Sequence, residues 1–123
     1  MDIQDSIVAV VDDDKSVRDS LARLLRSAGM RAQVFESAEE FLNQSDLKAG
    51  CVVIDAQMPG MRGLELQERC LTLQPRLPVI MISAFFDEEA EGRTLARGAR
   101  AYFHKPFDTI CFLNVIRDAL VNG

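Results

Sequence analysis

The chain has 123 residues, of which 48% are apolar, a formal net charge of −5 and a pI near 4.8. That length fits one domain with enough apolar material for a core, and no second domain is expected. The acidic balance excludes direct binding to nucleic-acid phosphates, which call for a basic face, so any DNA contact belongs to another domain or partner. The longest apolar runs fall far short of the ~20 residues of a membrane span.

In chain order, Met1-Asp-Ile-Gln-Asp5 lacks the basic flank and cleavage site of a signal peptide, which predicts a cytoplasmic protein. Ile7 to Val11 is a continuous apolar run suited to a strand covered on both faces. Val17, Leu21, Leu24 and Leu25 then share one face of an amphipathic helix, with Gly29 as a left-handed stop. Ala32 to Phe35 is a short second strand, and Ser37-Ala-Glu-Glu40 has capping-box spacing ahead of Phe41 and Leu42. Cys51 to Ile54 is a second buried run. Leu64 to Leu73 follows Gly63 as a helix that Pro75 and Pro78 close.

Val79 to Ile82 is the third buried run. Asp87 to Arg97 places acids first and bases last, which suits a helix dipole, while Gly92 costs roughly 1 kcal/mol relative to Ala and should make this the loosest helix. Ala101 to Phe103 is a fifth strand. A last helix starts near Asp108 or Thr109 and turns Phe112, Leu113, Ile116 and Leu120 toward the sheet. The alternation is (βα)₅, an α/β doubly wound parallel sheet with helices on both faces. Cys51, Cys70 and Cys111 are odd in number and widely spaced among apolar neighbours, and read as buried thiols.

Functional groups of such a sheet gather outside the carboxyl ends of its strands. Here those ends carry Asp12-Asp13-Asp14, Asp55, Ser83 and, just beyond the fifth, Lys105. Crowded carboxylates resist ionisation unless a cation joins them, so the set points to a hard divalent metal, Mg²⁺ first and Mn²⁺ as its substitute. Oxygen-only ligands disfavour a transition metal. Taken singly each residue has a plainer role: Asp14 or Ser83 a cap, Lys105 a solvated charge. Their convergence at one sheet edge favours chemistry. His104, the only histidine, lacks a His or Cys neighbour and receives no role, and Met58, Met61 and Met81 read as loop or core fillers.

Val10-Val11-Asp12-Asp13-Asp14, Val53-Ile54-Asp55-Ala-Gln-Met-Pro-Gly60-Met-Arg-Gly63 and Tyr102-Phe-His-Lys105-Pro106-Phe107 resemble the receiver (CheY-like) superfamily across essentially the whole chain. Val17 to Leu25, Phe35 to Leu42 and Gly63 to Gln67 further resemble its FixJ-like branch, in which the receiver usually precedes a helix-turn-helix transcriptional domain. The resemblance implies strand order 2-1-3-4-5 and a cytoplasmic response regulator that takes a phosphoryl group from a sensor histidine kinase. Asp55 would be the phosphoacceptor, and Asp12, Asp13, Asp55 and the Gln57 backbone carbonyl the Mg²⁺ ligands. Ser83, Ala84 and Lys105 would bind the phosphoryl group, a cis Lys105-Pro106 peptide would aim the ammonium inward, and Gln57 and Phe85 would tune the phosphate lifetime. Phosphorylation would draw Ser83 inward and turn Tyr102 from an outward to an inward rotamer. The fourth helix, fifth strand and fifth helix would then bind a second copy or an output domain.

Ser83-Ala84-Phe85-Phe86-Asp87 departs from the branch's usual Thr-Gly-His-Gly-Asp run, which points to an altered switch while keeping the hydroxyl. Three other functions share parts of the pattern. A haloacid-dehalogenase-like phosphatase would use the same Asp, Lys and Mg²⁺, but Gln57 stands where it needs an acid, and no cap domain follows. A flavodoxin-like carrier would have its flavin phosphate repelled by the three acids. A pseudo-receiver would not need the full set.

Overall fold

The computed structural model of the protein describes residues 6–44 and 48–122; Met1 to Asp5, which carry the expectation of a leaderless start, lie outside them. In chain order the elements are β1 (Ile7–Val11), α1 (Lys15–Ser27), β2 (Arg31–Phe35), α2 (Ala38–Leu42), β3 (Ala49–Asp55), α3 (Gly63–Leu73), β4 (Val79–Ser83), α4 (Glu88–Ala96), β5 (Ala101–His104) and α5 (Thr109–Asn122). All strand pairs are parallel, in the order β2-β1-β3-β4-β5. No helix among the described residues is long and apolar enough to cross a membrane.

Successive side chains of a strand go to opposite faces. Ala9, Val11, Val52, Ile54 and Met81 therefore join one core layer with Phe41 of α2 and Leu66 and Cys70 of α3. Val8, Val10, Val53, Ile80 and Ile82 join the other, with Leu21 and Leu25 of α1 and Phe112 and Ile116 of α5. Burial on both sides is why β1, β3 and β4 are apolar without alternation. The edge strand β2 alternates instead, with Arg31 and Gln33 exposed.

Local signals set the helix ends. Gly29 has φ +83° beyond the last turn of α1, where a side chain would be strained. Ser37 accepts from the Glu40 N–H at α2, and Asp87 from the Ala90 N–H at α4. Asp108 accepts from the Ile110 and Cys111 N–H groups at the start of α5. Helix α4 buries only Thr94, whose carbonyl accepts from Gln67 Nε2 of α3 at 3.0 Å.

Cys51 and Cys70 are buried, but Cys111 is exposed, against the expectation of three buried thiols. The sheet-facing stripe of α5 runs through Phe112, Ile116 and Ala119, and Cys111 lies about 100° round the helix from Phe112.

Candidate functional site

Asp12 follows β1 directly and Asp55 ends the adjacent strand β3, with Val11 paired to Ile54. The pairing brings one carboxylate oxygen from each of Asp12, Asp13 and Asp55 within 4.8 Å of one another. Asp12 is 0% and Asp55 4% exposed, while Asp13 reaches solvent. Lys105, after β5, donates from Nζ to Asp12 Oδ2 at 3.3 Å and lies 3.9 Å from Asp55 Oδ1. The Lys105–Pro106 peptide is cis.

One ammonium facing three carboxylates leaves the site negative. Burial first, then the Asp12 charge, push the Asp55 carboxyl up to about 7, against the lowering effect of the Gln57 N–H and Lys105. Two buried acids and one exposed acid, all oxygen donors, fit a hard divalent cation that keeps some of its water.

Asp14 is the N-cap of α1, accepting from the Ser16 N–H at 2.9 Å and the Val17 N–H at 3.4 Å. Of the three consecutive acids, two therefore serve the pocket and the third serves the helix. On the other side of Asp55, Gly63 opens α3 against the strand end. A Cβ there would stand 2.7 Å from the Asp55 carbonyl oxygen, 2.8 Å from Ala56 Cα and 2.9 Å from Met81 Sδ, so the backbone approach requires glycine.

Ser83 ends β4, fully buried beside Asp55, since Asp55 pairs with Ile82. Gln57 Nε2 donates to Ser83 Oγ at 2.8 Å, and the Ala84 N–H donates to Gln57 Oε1 at 3.2 Å. The Ser83 hydroxyl has one proton, shared between the Phe85 carbonyl oxygen at 2.9 Å and Gln57 Oε1 at 3.1 Å. Gln57 therefore reaches Ser83 and Ala84 with its side chain, contacts that the sequence reading did not foresee.

His104 was also left without a role there. Its Nδ1 lies 3.3 Å from the Phe85 carbonyl oxygen and its Nε2 3.0 Å from Glu91 Oε1, and its ring stacks on Phe86 at 4.7 Å. The histidine thus ties the end of β5 to the β4–α4 loop and to α4. No period in the sequence marks His104 as a neighbour of Phe86 or Glu91.

Tyr102 is buried, 9% exposed, with its hydroxyl unpartnered among the described residues. Its ring packs 5.3 Å from that of His104 and joins the α2–α3 core layer, where a phenol finds more apolar contact than it would outside. The Phe85 side chain is 64% exposed.

Residues 8–117 match the response regulator receiver domain family. Among similar proteins, the response regulator protein TmoT of Ectopseudomonas mendocina is 39% identical over 98% of this chain and 55% of its own length. The transcriptional regulatory protein FixJ of Bradyrhizobium diazoefficiens is 35% identical over 92% of this chain and 56% of its own. The chain thus spans about half the length of the curated relatives it matches. The crystal structure of FixJ-N superposes with a TM-score of 0.88 at 32% identity, covering 97% of this chain and 96% of that one.

Proposed function

Because the chain belongs to the response regulator receiver domain family, we propose that Asp55 is the phosphoacceptor and that a sensor histidine kinase is the donor. The observation that carries this is the buried Asp55 carboxylate set among Asp12, Asp13 and Lys105. An Asp55 carboxylate oxygen forms the new bond to phosphorus as the bond to the kinase histidine nitrogen breaks, its electron pair returning to the imidazole. Asp12, Asp13, Asp55 and the Gln57 backbone carbonyl would hold Mg²⁺, which when bound neutralises the oxygens that must approach one another.

The protein's own groups supply the rest. Lys105 pairs with one phosphoryl oxygen, and the Ser83 hydroxyl and Ala84 N–H donate to another. A hydroxyl drawn to the phosphoryl group leaves the Phe85 carbonyl, which His104 also contacts. That is a differential contact between the two states, as a switch needs. The surface of α4, β5 and α5 is where the change would be read by a second copy or an output domain, and a transcriptional output is supported by the FixJ likeness. Gln57 and Phe85 flank the group and would set its lifetime.

Intact-mass measurement after incubation with acetyl phosphate tests the assignment. One phosphoryl adduct is expected with Mg²⁺, none with chelator, and none in Asp55→Asn. An unchanged adduct in that variant removes Asp55 from the role.

A further inference from the structure

We propose that in the unphosphorylated chain the Gln57 carboxamide occupies the donors that receive the phosphoryl group, and so competes with it from within. The proposal rests on the receiver reading of the site. Gln57 Oε1 accepts from the Ala84 N–H at 3.2 Å and stands 3.1 Å from Ser83 Oγ, to which its Nε2 donates at 2.8 Å. The amide orientation follows from chemistry: a backbone N–H only donates, so the oxygen must face Ala84. That oxygen sits where a phosphoryl oxygen would collect the same two donors.

The tether makes the competition intramolecular. The Gln57 N–H donates to Asp55 Oδ1 at 3.2 Å, so the backbone is fixed to the nucleophile while the side chain reaches 26 positions along the chain to Ser83. Ser83 is fully buried, so its hydroxyl is satisfied by this amide and the loop rather than by bulk water. The carboxamide is half-buried and can swing to solvent. A charged phosphoryl oxygen accepts more strongly than a neutral amide and displaces it, but against bonds already made.

Removing the competitor should therefore strengthen binding of a phosphoryl analogue. Gln57→Met keeps the length without hydrogen bonding, and Gln57→Ala removes the side chain; both keep the backbone carbonyl. With Mg²⁺ saturating, beryllofluoride affinity read by ¹⁹F NMR should rise about tenfold in either variant. In the metal-free protein the Ala84 amide should exchange with solvent faster in Gln57→Met than in wild type. Unchanged or weaker beryllofluoride affinity in both variants, unchanged Ala84 exchange, or a gain wholly accounted for by tighter Mg²⁺ binding each overturns the proposal while leaving the receiver reading in place. A wild-type protein that takes up no beryllofluoride with Mg²⁺ present overturns the receiver reading and this proposal together.

Discussion

Lys105 Nζ stands 3.3 Å from Asp12 Oδ2, a contact between residues 93 positions apart that joins the ends of two strands that are not neighbours in the sheet. The ammonium is thereby closer to Asp12 than to Asp55, at 3.9 Å, and the Asp55 carboxyl rises from its ordinary 3.8 to about 7. A carboxyl raised in the folded state favours folding while protonated. That contribution is complete below about pH 4 and is lost as pH climbs through about 7. In metal-free protein, wild type should lose about 2 to 4 kcal/mol relative to Asp55→Asn between pH 4 and pH 8, after allowance for solvent screening. Denaturant titrations across that range check it, and a constant difference between the two proteins would contradict it.

Asp13 and Asp14 are adjacent and should respond oppositely. Asp13→Ala removes one of three converging carboxylates, so Mg²⁺ affinity should fall by at least about tenfold while the metal-free fold is unchanged or more stable. Asp14→Ala removes the α1 cap and should cost about 1 kcal/mol with Mg²⁺ affinity kept. Calorimetric titration and unfolding of the same two samples separate the roles, and the reverse pattern would exchange them.

Two glycines make a similar pair. Gly63→Ala drives a methyl group into the backbone of Asp55 and Ala56 and should destabilise by about 1 to 3 kcal/mol, with slower phosphorylation of whatever folds. Gly92→Ala meets nothing within 4 Å on an exposed helix face and should stabilise by about 1 kcal/mol. Equilibrium unfolding of each against wild type checks both signs.

Tyr102→Phe deletes a buried hydroxyl that lacks a partner among the described residues while keeping the ring. The unphosphorylated protein should gain about 1 kcal/mol in urea unfolding. A loss of that size would mean the hydroxyl is bonded in solution.

Phe85→Glu places a group able to orient water beside the phosphoryl site. The aspartyl-phosphate lifetime should shorten about tenfold, equivalent to ~1.4 kcal/mol of barrier. Decay of the phosphorylated mass at equal starting stoichiometry measures it, and an unchanged lifetime assigns the exposed ring to packing against a partner.

The strands were legible because a doubly covered sheet leaves continuous apolar runs, and the helix ends because Gly29, Ser37 and Asp87 each answer a local backbone demand. The carboxylates and Lys105 were legible because strand ends in such a sheet share one edge. The Gln57–Ser83 bond was not, since two polar residues 26 apart carry no period that marks them as neighbours. His104 hid for the same reason, its partners Phe85 and Glu91 lying on another strand's loop and helix. Cys111 was misplaced because residue type was weighed above helical phase. The burial of Tyr102 was not legible either, because packing contacts leave no trace in pattern.

Gly63 lets α3 press directly on the backbone of Asp55 and Ala56, so the two flanks of the pocket are packed unequally. On the α3 side the Asp55 backbone has no room for even a methyl group. Across from it, residues 84–89 are all exposed, fastened to the pocket by the hydrogen bonds of Gln57, Ser83 and His104. If Asp55 carries the phosphoryl group, the added charge meets close packing on the α3 side and an exposed loop on the other, so the displacement would pass outward to α4.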